Sequence, residues 1–157
     1  MCGLLFYYIY TDFLLAIRLH KEMLWRMLLY ILQHKTFISF YLLDIAFSGI
    51  CHSDIHQARE EWGPAIFPMV PGHEIAGTVT SIGSSVTKFK VGDKIGVGVF
   101  VDSCRTCENC VAGLQQYCLE GMTGTYNQLE RDGKTVAMGG YSNRFVINED
   151  YAVHIPA

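Results

Sequence analysis

The chain has 157 residues, half of them hydrophobic, and a formal net charge of −3. That is enough for one ordinary domain with a core and too little for two full ones, and it carries no basic excess to suggest a nucleic-acid or anionic-membrane surface. Charge is unevenly spread, four Lys/Arg against two Asp/Glu in residues 1–43 and eight against thirteen in residues 44–157. Composition shifts at the same place: the first 63 residues hold no proline and the first 48 a single glycine, Gly3, so two kinds of sequence meet near Leu43.

From Met1 to Leu43, Leu14, Ile17, Met23, Leu24, Met27, Leu28, Ile31 and Leu32 recur near helical spacing, which predicts one or two amphipathic helices. This atypical hydrophobic segment is expected to be foreign to the domain behind it and to lie outside its fold. A membrane-associated protein anchored by residues 1–43 is the alternative. Spanning a bilayer takes about 20 mostly apolar residues, and Asp12, Arg18, Lys21, Glu22, Arg26 and Lys35 interrupt every such window. A secretory signal would need a basic start and a small-residue cleavage site, and neither is clear here.

From Asp44 the pattern turns to β. Asp44–Ser48 reads as the end of a strand, and Ile75–Ile82 alternates with period two before breaking at Gly83-Ser-Ser. Val91-Gly-Asp93 reads as a turn and Lys94–Val101 as one alternating strand. Gly139-Gly140 precedes an apolar-alternating run, Tyr141–Ile147, and Tyr151–Ile155 follows the acidic turn Asn148-Glu-Asp150. Short strands at regular spacing with Gly-rich turns predict a mainly β fold, a partly open barrel or sandwich. A short helix is expected to start near His52.

Between these strands lie two groups of metal-ligand residues. Cys104, Cys107, Cys110 and Cys118 follow one another at gaps of two, two and seven residues. Two-residue gaps let a tight lobe aim several thiolates at one point, the way a closed four-sulfur structural zinc site is built. Disulfides are an alternative, but close pairs strain a bridge. An iron–sulfur cluster is the other, though its bacterial signature ends in a three-residue gap and Cys-Pro, whereas Leu119 follows here. The second group is Cys51, His52, Ser53, Asp54 and His56, with His73 and Glu74 further on. Cys51 and His73 can each supply a ligand to a second zinc, Glu74 a third or alternate one, and Asp54 can accept the other ring N–H of His73. Against that stands the plainer possibility of a buried thiol and a hydrogen-bonded imidazole.

Taken in order, Gly-Ile-Cys-His-Ser-Asp-Ile-His, Pro-Gly-His-Glu-Ile-Ala-Gly-Thr-Val, Val-Gly-Asp-Lys-Ile-Gly-Val-Gly, the cysteine lobe and Gly-Gly-Tyr-Ser resemble the zinc-dependent alcohol dehydrogenases of the medium-chain dehydrogenase/reductase superfamily. The lobe together with Gly124-Thr-Tyr-Asn127 and Gly139-Gly-Tyr-Ser142 is similar to its cinnamyl-alcohol-dehydrogenase branch. The resemblance runs from about Asp44 to Ala157. It implies a GroES-like (chaperonin-10-like) catalytic domain over residues 44–157, interconverting primary alcohols and aldehydes with NADP or NAD. It implies a structural zinc on Cys104, Cys107, Cys110 and Cys118 and a catalytic zinc near Cys51, His73 and Glu74. Ser53 and His56 would form the proton relay, with Ser53 next to the substrate oxygen. His52 and Ser53 would lie against the cofactor, and Asp54 would sit behind His73.

Family members continue into a doubly wound Rossmann domain, and no G-x-G-x-x-G follows a strand here. The expectation is a fragment inactive alone, without the third zinc ligand or a family-like homodimer. It is expected to be cytoplasmic, with a small-molecule substrate, no nucleic-acid partner and no membrane. A non-catalytic zinc-binding module is the alternative function.

Overall fold

The computed structural model describes residues 39–156, and the expected helices of the N-terminal segment fall outside them. The described part is mainly β. Seven strands, β1 (Phe40–Ser48), β2 (Ile75–Ile82), β3 (Lys94–Val97), β4 (Phe100–Asp102), β5 (Thr123–Gly124), β6 (Arg144–Asn148) and β7 (Ala152–His154), are joined by two short helices, α1 (His52–Ala58) and α2 (Glu108–Val111). An antiparallel sheet of order β6-β1-β2-β3-β7 curls into an open half-barrel, and β4 and β5 form a separate two-stranded ribbon.

Period-two patterning builds the core. Tyr41 and Leu43 of β1, Ile75 and Val79 of β2, Ile95 and Val97 of β3, and Phe145 and Ile147 of β6 all face one side and pack together with Phe89 and Tyr151. The register puts Leu43 opposite both Val79 and Phe145, and Tyr41 opposite Ile147. Gly77 belongs to the same inward row. A Cβ there would run into the carbonyl oxygen of Asp44, where β1 shifts register against β2; a glycine lets the two backbones close at that irregularity.

Two boundaries differ from the sequence expectation. The composition break at Leu43 lies inside β1, which begins at Phe40 and is paired on both sides from Tyr41. Phe-Tyr-Leu-Leu is an uninterrupted apolar run, and such a run reads equally as the tail of a helix or the start of a buried strand. The expected strand Lys94–Val101 is two strands, broken at Gly98-Val99. The Gly98 carbonyl accepts the Thr125 hydroxyl at 2.5 Å and the Val99 carbonyl accepts the Thr125 N–H at 3.2 Å, so the chain leaves the main sheet there and enters the ribbon that carries the cysteine lobe. Alternation survives such a change of partner, which is why periodicity does not reveal it.

Leu43 is fully buried at the junction of three strands. Leu43→Ala is expected to lower the unfolding free energy by about 2–5 kcal/mol, measured by urea denaturation of the full chain. A loss near zero would mean that the N-terminal half of β1 does not contribute to the core.

Candidate functional site

The cysteine lobe leaves the ribbon after Asp102. Arg105 turns the chain with a left-handed φ of 61°; its guanidinium is held by Asp102 Oδ1, at 3.0 Å from Nε and 2.8 Å from Nη2, and lies 5.5 Å from the Tyr151 ring. With the turn fixed, Cys107 N–H donates to Cys104 Sγ at 3.3 Å and Cys104 N–H to Cys118 Sγ at 3.4 Å. Helix α2 brings in Cys110, and Asn109 ties it to the 3-10 turn Gln115–Tyr117 through the Tyr117 carbonyl, at 2.7 Å. The ligand atoms of Cys104, Cys107, Cys110 and Cys118 all lie within 4.8 Å of one another.

These cysteines fit a zinc ion. A tetrahedron with zinc–sulfur bonds of about 2.3 Å has sulfur–sulfur edges of about 3.8 Å, and Cys104 Sγ and Cys110 Sγ are 3.8 Å apart. The same separation is nearly twice a disulfide bond of about 2.05 Å, and the lobe cysteines are free thiols. The N–H groups of Cys107 and Thr106 hold the Cys104 thiol down to about 6. For Cys110 the Ser103 hydroxyl pulls downward, but burial and the neighbouring Cys107 and Cys118 sulfurs outweigh it and push that thiol up to about 11. The lobe thus holds one thiol that ionises easily and one that resists, and a cation at its centre would favour the thiolate form of both.

The second cluster forms where α1 meets the entry to β2. Cys51 caps α1, and Asp54, in the first turn, accepts the Cys51 N–H at 3.0 Å. Gly49 N–H reaches the Glu74 carbonyl at 2.8 Å. That contact brings the ligand atoms of Cys51, His73 and Glu74 within 4.8 Å of one another. Glu74 is exposed, while the His73 side chain is 11% exposed.

Asp54 is the hub. Its side chain is 5% exposed and lies 3.5 Å from His73 Nδ1. It accepts the Gly72 N–H at 3.1 Å and the Tyr141 hydroxyl at 2.7 Å. Burial opposes its ionisation, but the hydroxyls of Tyr141 and Tyr126 and the N–H groups of Cys51 and Gly72 more than offset this and hold the carboxyl below its ordinary value. Conversely, burial and the adjacent Asp54 charge push both phenols up, so each keeps its proton and stays a donor. Tyr126 also stacks on the His73 ring, centroids 5.9 Å apart and planes 11° apart. It is positioned by Asn127, which accepts the Ile66 N–H at 2.8 Å and donates to Gln57 of α1.

The remaining expected residues gather on α1. Ser53 Oγ is buried, with no partner in hydrogen-bond geometry among the described residues, but lies close enough to Tyr126 to act on that phenol. His56 Nδ1 is hydrogen-bonded to Glu61 Oε2. Its ring lies between His52, at 4.6 Å, and Trp62, stacked at 4.8 Å and 25°. Glu61, Trp62, Tyr126 and Tyr141 were not singled out from the sequence. The two tyrosines sit in the quoted Gly-Thr-Tyr-Asn and Gly-Gly-Tyr-Ser runs, which offered a signal; Glu61 and Trp62 follow the helix with no motif around them.

Residues 40–157 match the family described as the alcohol dehydrogenase GroES-like domain. Among curated proteins, NADP-dependent alcohol dehydrogenase C 1 of Mycolicibacterium smegmatis is 62% identical over 114 residues, 72% of this chain and 32% of that protein. A probable cinnamyl alcohol dehydrogenase 3 of Oryza sativa is 52% identical over 73% of this chain and 31% of its own length. Among solved structures, CAD of Helicobacter pylori complexed with NADP(H) superposes with a TM-score of 0.70 at 46% identity, over 74% of this chain and 34% of that one. The chain thus spans about a third of the length of the relatives it matches.

Tyr141→Phe removes a donor from a buried carboxylate. It is expected to lower stability by about 1.5–3 kcal/mol, the range for hydrogen bonds to charged groups, read from the denaturation midpoint at neutral pH. An unchanged midpoint would mean that the Tyr141–Asp54 bond contributes nothing.

Proposed function

The chain belongs to the alcohol dehydrogenase GroES-like domain family, and from that membership we propose that it carries the zinc-binding catalytic part of an oxidoreductase interconverting primary alcohols and aldehydes with NADP or NAD. The observation that carries this reading is the convergence of Cys51, His73 and Glu74 within 4.8 Å beside a helix bearing Ser53 and His56. NADP is favoured over NAD, because the M. smegmatis relative is described as NADP-dependent and the H. pylori structure contains NADP(H). Cys104, Cys107, Cys110 and Cys118 hold a structural zinc, and Cys51, His73 and Glu74 a catalytic one.

Bound at these ligands, zinc supplies Lewis-acid polarisation of the substrate oxygen, and the nicotinamide exchanges the hydride. The chain's own residues manage orientation and the proton. Asp54 fixes the His73 ring from behind, as partners of metal-bound imidazoles do. Ser53 Oγ, buried in the first turn of α1 beside Tyr126, would turn its hydroxyl to the substrate oxygen. His56 follows at i+3 on the same helical face. In the oxidation direction the alcohol proton passes to Ser53 Oγ while the serine proton passes to His56. Glu61, accepting from Nδ1, stabilises the imidazolium until it releases its proton to solvent; reduction runs the same path backwards. His52, exposed at the first position of α1, is assigned with Ser53 to contact with the cofactor.

We place the protein in the cytoplasm, where such thiols stay reduced; among the described residues no helix is long and apolar enough to cross a membrane.

Residues 40–157, joined to the remaining part of the M. smegmatis relative, are expected to reduce aldehydes with NADPH. Cys51→Ser should bring turnover to background, and His56→Gln should lower kcat by about 10² or more, as expected for a lost proton-transfer group. A folded, zinc-loaded fusion that turns over no aldehyde would overturn the assignment.

Cys110→Ser in the 157-residue chain is expected to abolish zinc binding at the lobe and lower the thermal midpoint by several degrees, since a structural zinc contributes to folding directly. Iron in metal analysis of the purified protein would contradict the zinc assignment.

A further inference from the structure

The segment after the lobe, Gln128–Ala137, is a small hairpin. Leu129 pairs with Val136, and Glu130 N–H and Ala137 N–H reach the Thr135 and Gln128 carbonyls at 2.8 Å. Its tip is closed by Asp132, which accepts from the N–H groups of Lys134 and Thr135 at 2.8 Å and from the Thr135 hydroxyl at 2.6 Å. Gln128 ties its base to the lobe, donating to the Met122 carbonyl at 3.2 Å and accepting the Gly124 N–H at 2.5 Å.

From this hairpin Arg131 reaches back to the cysteines. Its Nη2 lies 3.8 Å from Cys118 Sγ and also bonds the Gly121 carbonyl, while Nη1 is 3.5 Å from Glu120 Oε2. The other groups described against these sulfurs, backbone N–H groups of the lobe and the Ser103 hydroxyl, are neutral. Four thiolates around one divalent cation leave about two negative charges in excess. Cys118 is separated from Cys110 by seven residues, where the first three ligands are two apart. It is therefore the ligand least restrained by its chain neighbours.

We propose that the Gln128–Ala137 hairpin is a latch on the four-cysteine centre, with Arg131 as a positioning residue that holds the Cys118 thiolate on the metal. The inference rests on the reading that these four cysteines hold zinc. Metal release begins when one thiolate swings away, and a guanidinium carried by a separate hairpin opposes that motion through a charge-assisted hydrogen bond. Glu120 shares the Arg131 charge, so its carboxylate works against the latch.

The test uses the full chain. Zinc content is measured first, and release into an excess of chromogenic chelator is then followed. Arg131→Gln is expected to release zinc about tenfold faster or more, the scale on which residues behind a ligand affect a metal site, with Arg131→Lys intermediate. High salt should narrow the gap between wild type and Arg131→Gln by screening the charge. Glu120→Gln should release zinc no faster than wild type. Equal release from wild type and Arg131→Gln at equal zinc content overturns the latch. So does Glu120→Gln accelerating release as much as Arg131→Gln, which would make Arg131 a mere strut between Glu120 and Gly121. Should Arg131→Gln fail to fold, Arg131→Lys and the salt dependence of the wild-type rate decide. Wild-type protein that binds no zinc at the lobe overturns the metal reading and the latch with it, and the initial zinc measurement separates that failure from the others.

Discussion

A buried carboxylate must be surrounded by donors or abandon its charge, and Asp54 meets that requirement by drawing on three separate parts of the chain. The Cys51 N–H comes from the cap of α1, the Gly72 N–H from the approach to β2, and the Tyr141 hydroxyl from the approach to β6. Each donor is placed by its own segment, so satisfying one charge fixes the segments relative to one another. Cys51 and His73 both contact this hub, one through its N–H and the other through its ring. The distance between a thiol and an imidazole 22 residues apart in sequence is therefore set by the hydrogen bonding of a third residue.

That arrangement depends on close backbone approach. Residues 139–141 run against residues 70–72, with the N–H groups of Gly139, Gly140 and Tyr141 reaching the carbonyls of Val70, Gly72 and Pro71 at 2.7, 2.8 and 3.0 Å. A Cβ at Gly139 would collide with the Gly72 and Pro71 carbonyls, and Gly72 itself has a φ of 103°. Glycine is needed at both positions for geometric reasons. Without that approach the Tyr141 hydroxyl would not reach Asp54.

Much of this was legible in the sequence, because local rules write it there. The cysteine spacing places four sulfurs close together along the chain, and alternation exposes β2, β3 and β6. Asp54 as the partner of His73, and the cluster of Cys51 with His73 and Glu74, followed from motif order. What escaped was set by partners distant in sequence. Phe40–Leu43 looked like the end of an apolar helix, because only the presence of β2 and β6 on either side makes those residues a strand. The break at Gly98 is invisible until Thr125 arrives to bond its carbonyl. Glu61 and Tyr126 have no motif that announces a role: one acquires it by lying beside His56, the other by lying flat on His73.

The two clusters differ in how much of the fold each requires. All four lobe cysteines lie between residues 104 and 118, their internal N–H···S bonds span at most fourteen residues, and the turn that aims them is set by Arg105 on Asp102. Loop closure over so short a stretch costs little, so few contacts from elsewhere in the chain are needed to gather these sulfurs. The Cys51 cluster is different: it needs β1 to deliver α1, β2 to deliver His73, and the segment before β6 to deliver Tyr141. Its ligand geometry is therefore a readout of whether the half-barrel has closed. The two clusters therefore answer to different parts of the fold: the lobe to contacts within and next to residues 102–118, and the Cys51, His73 and Glu74 cluster to the buried charge of Asp54 and the three segments it ties together.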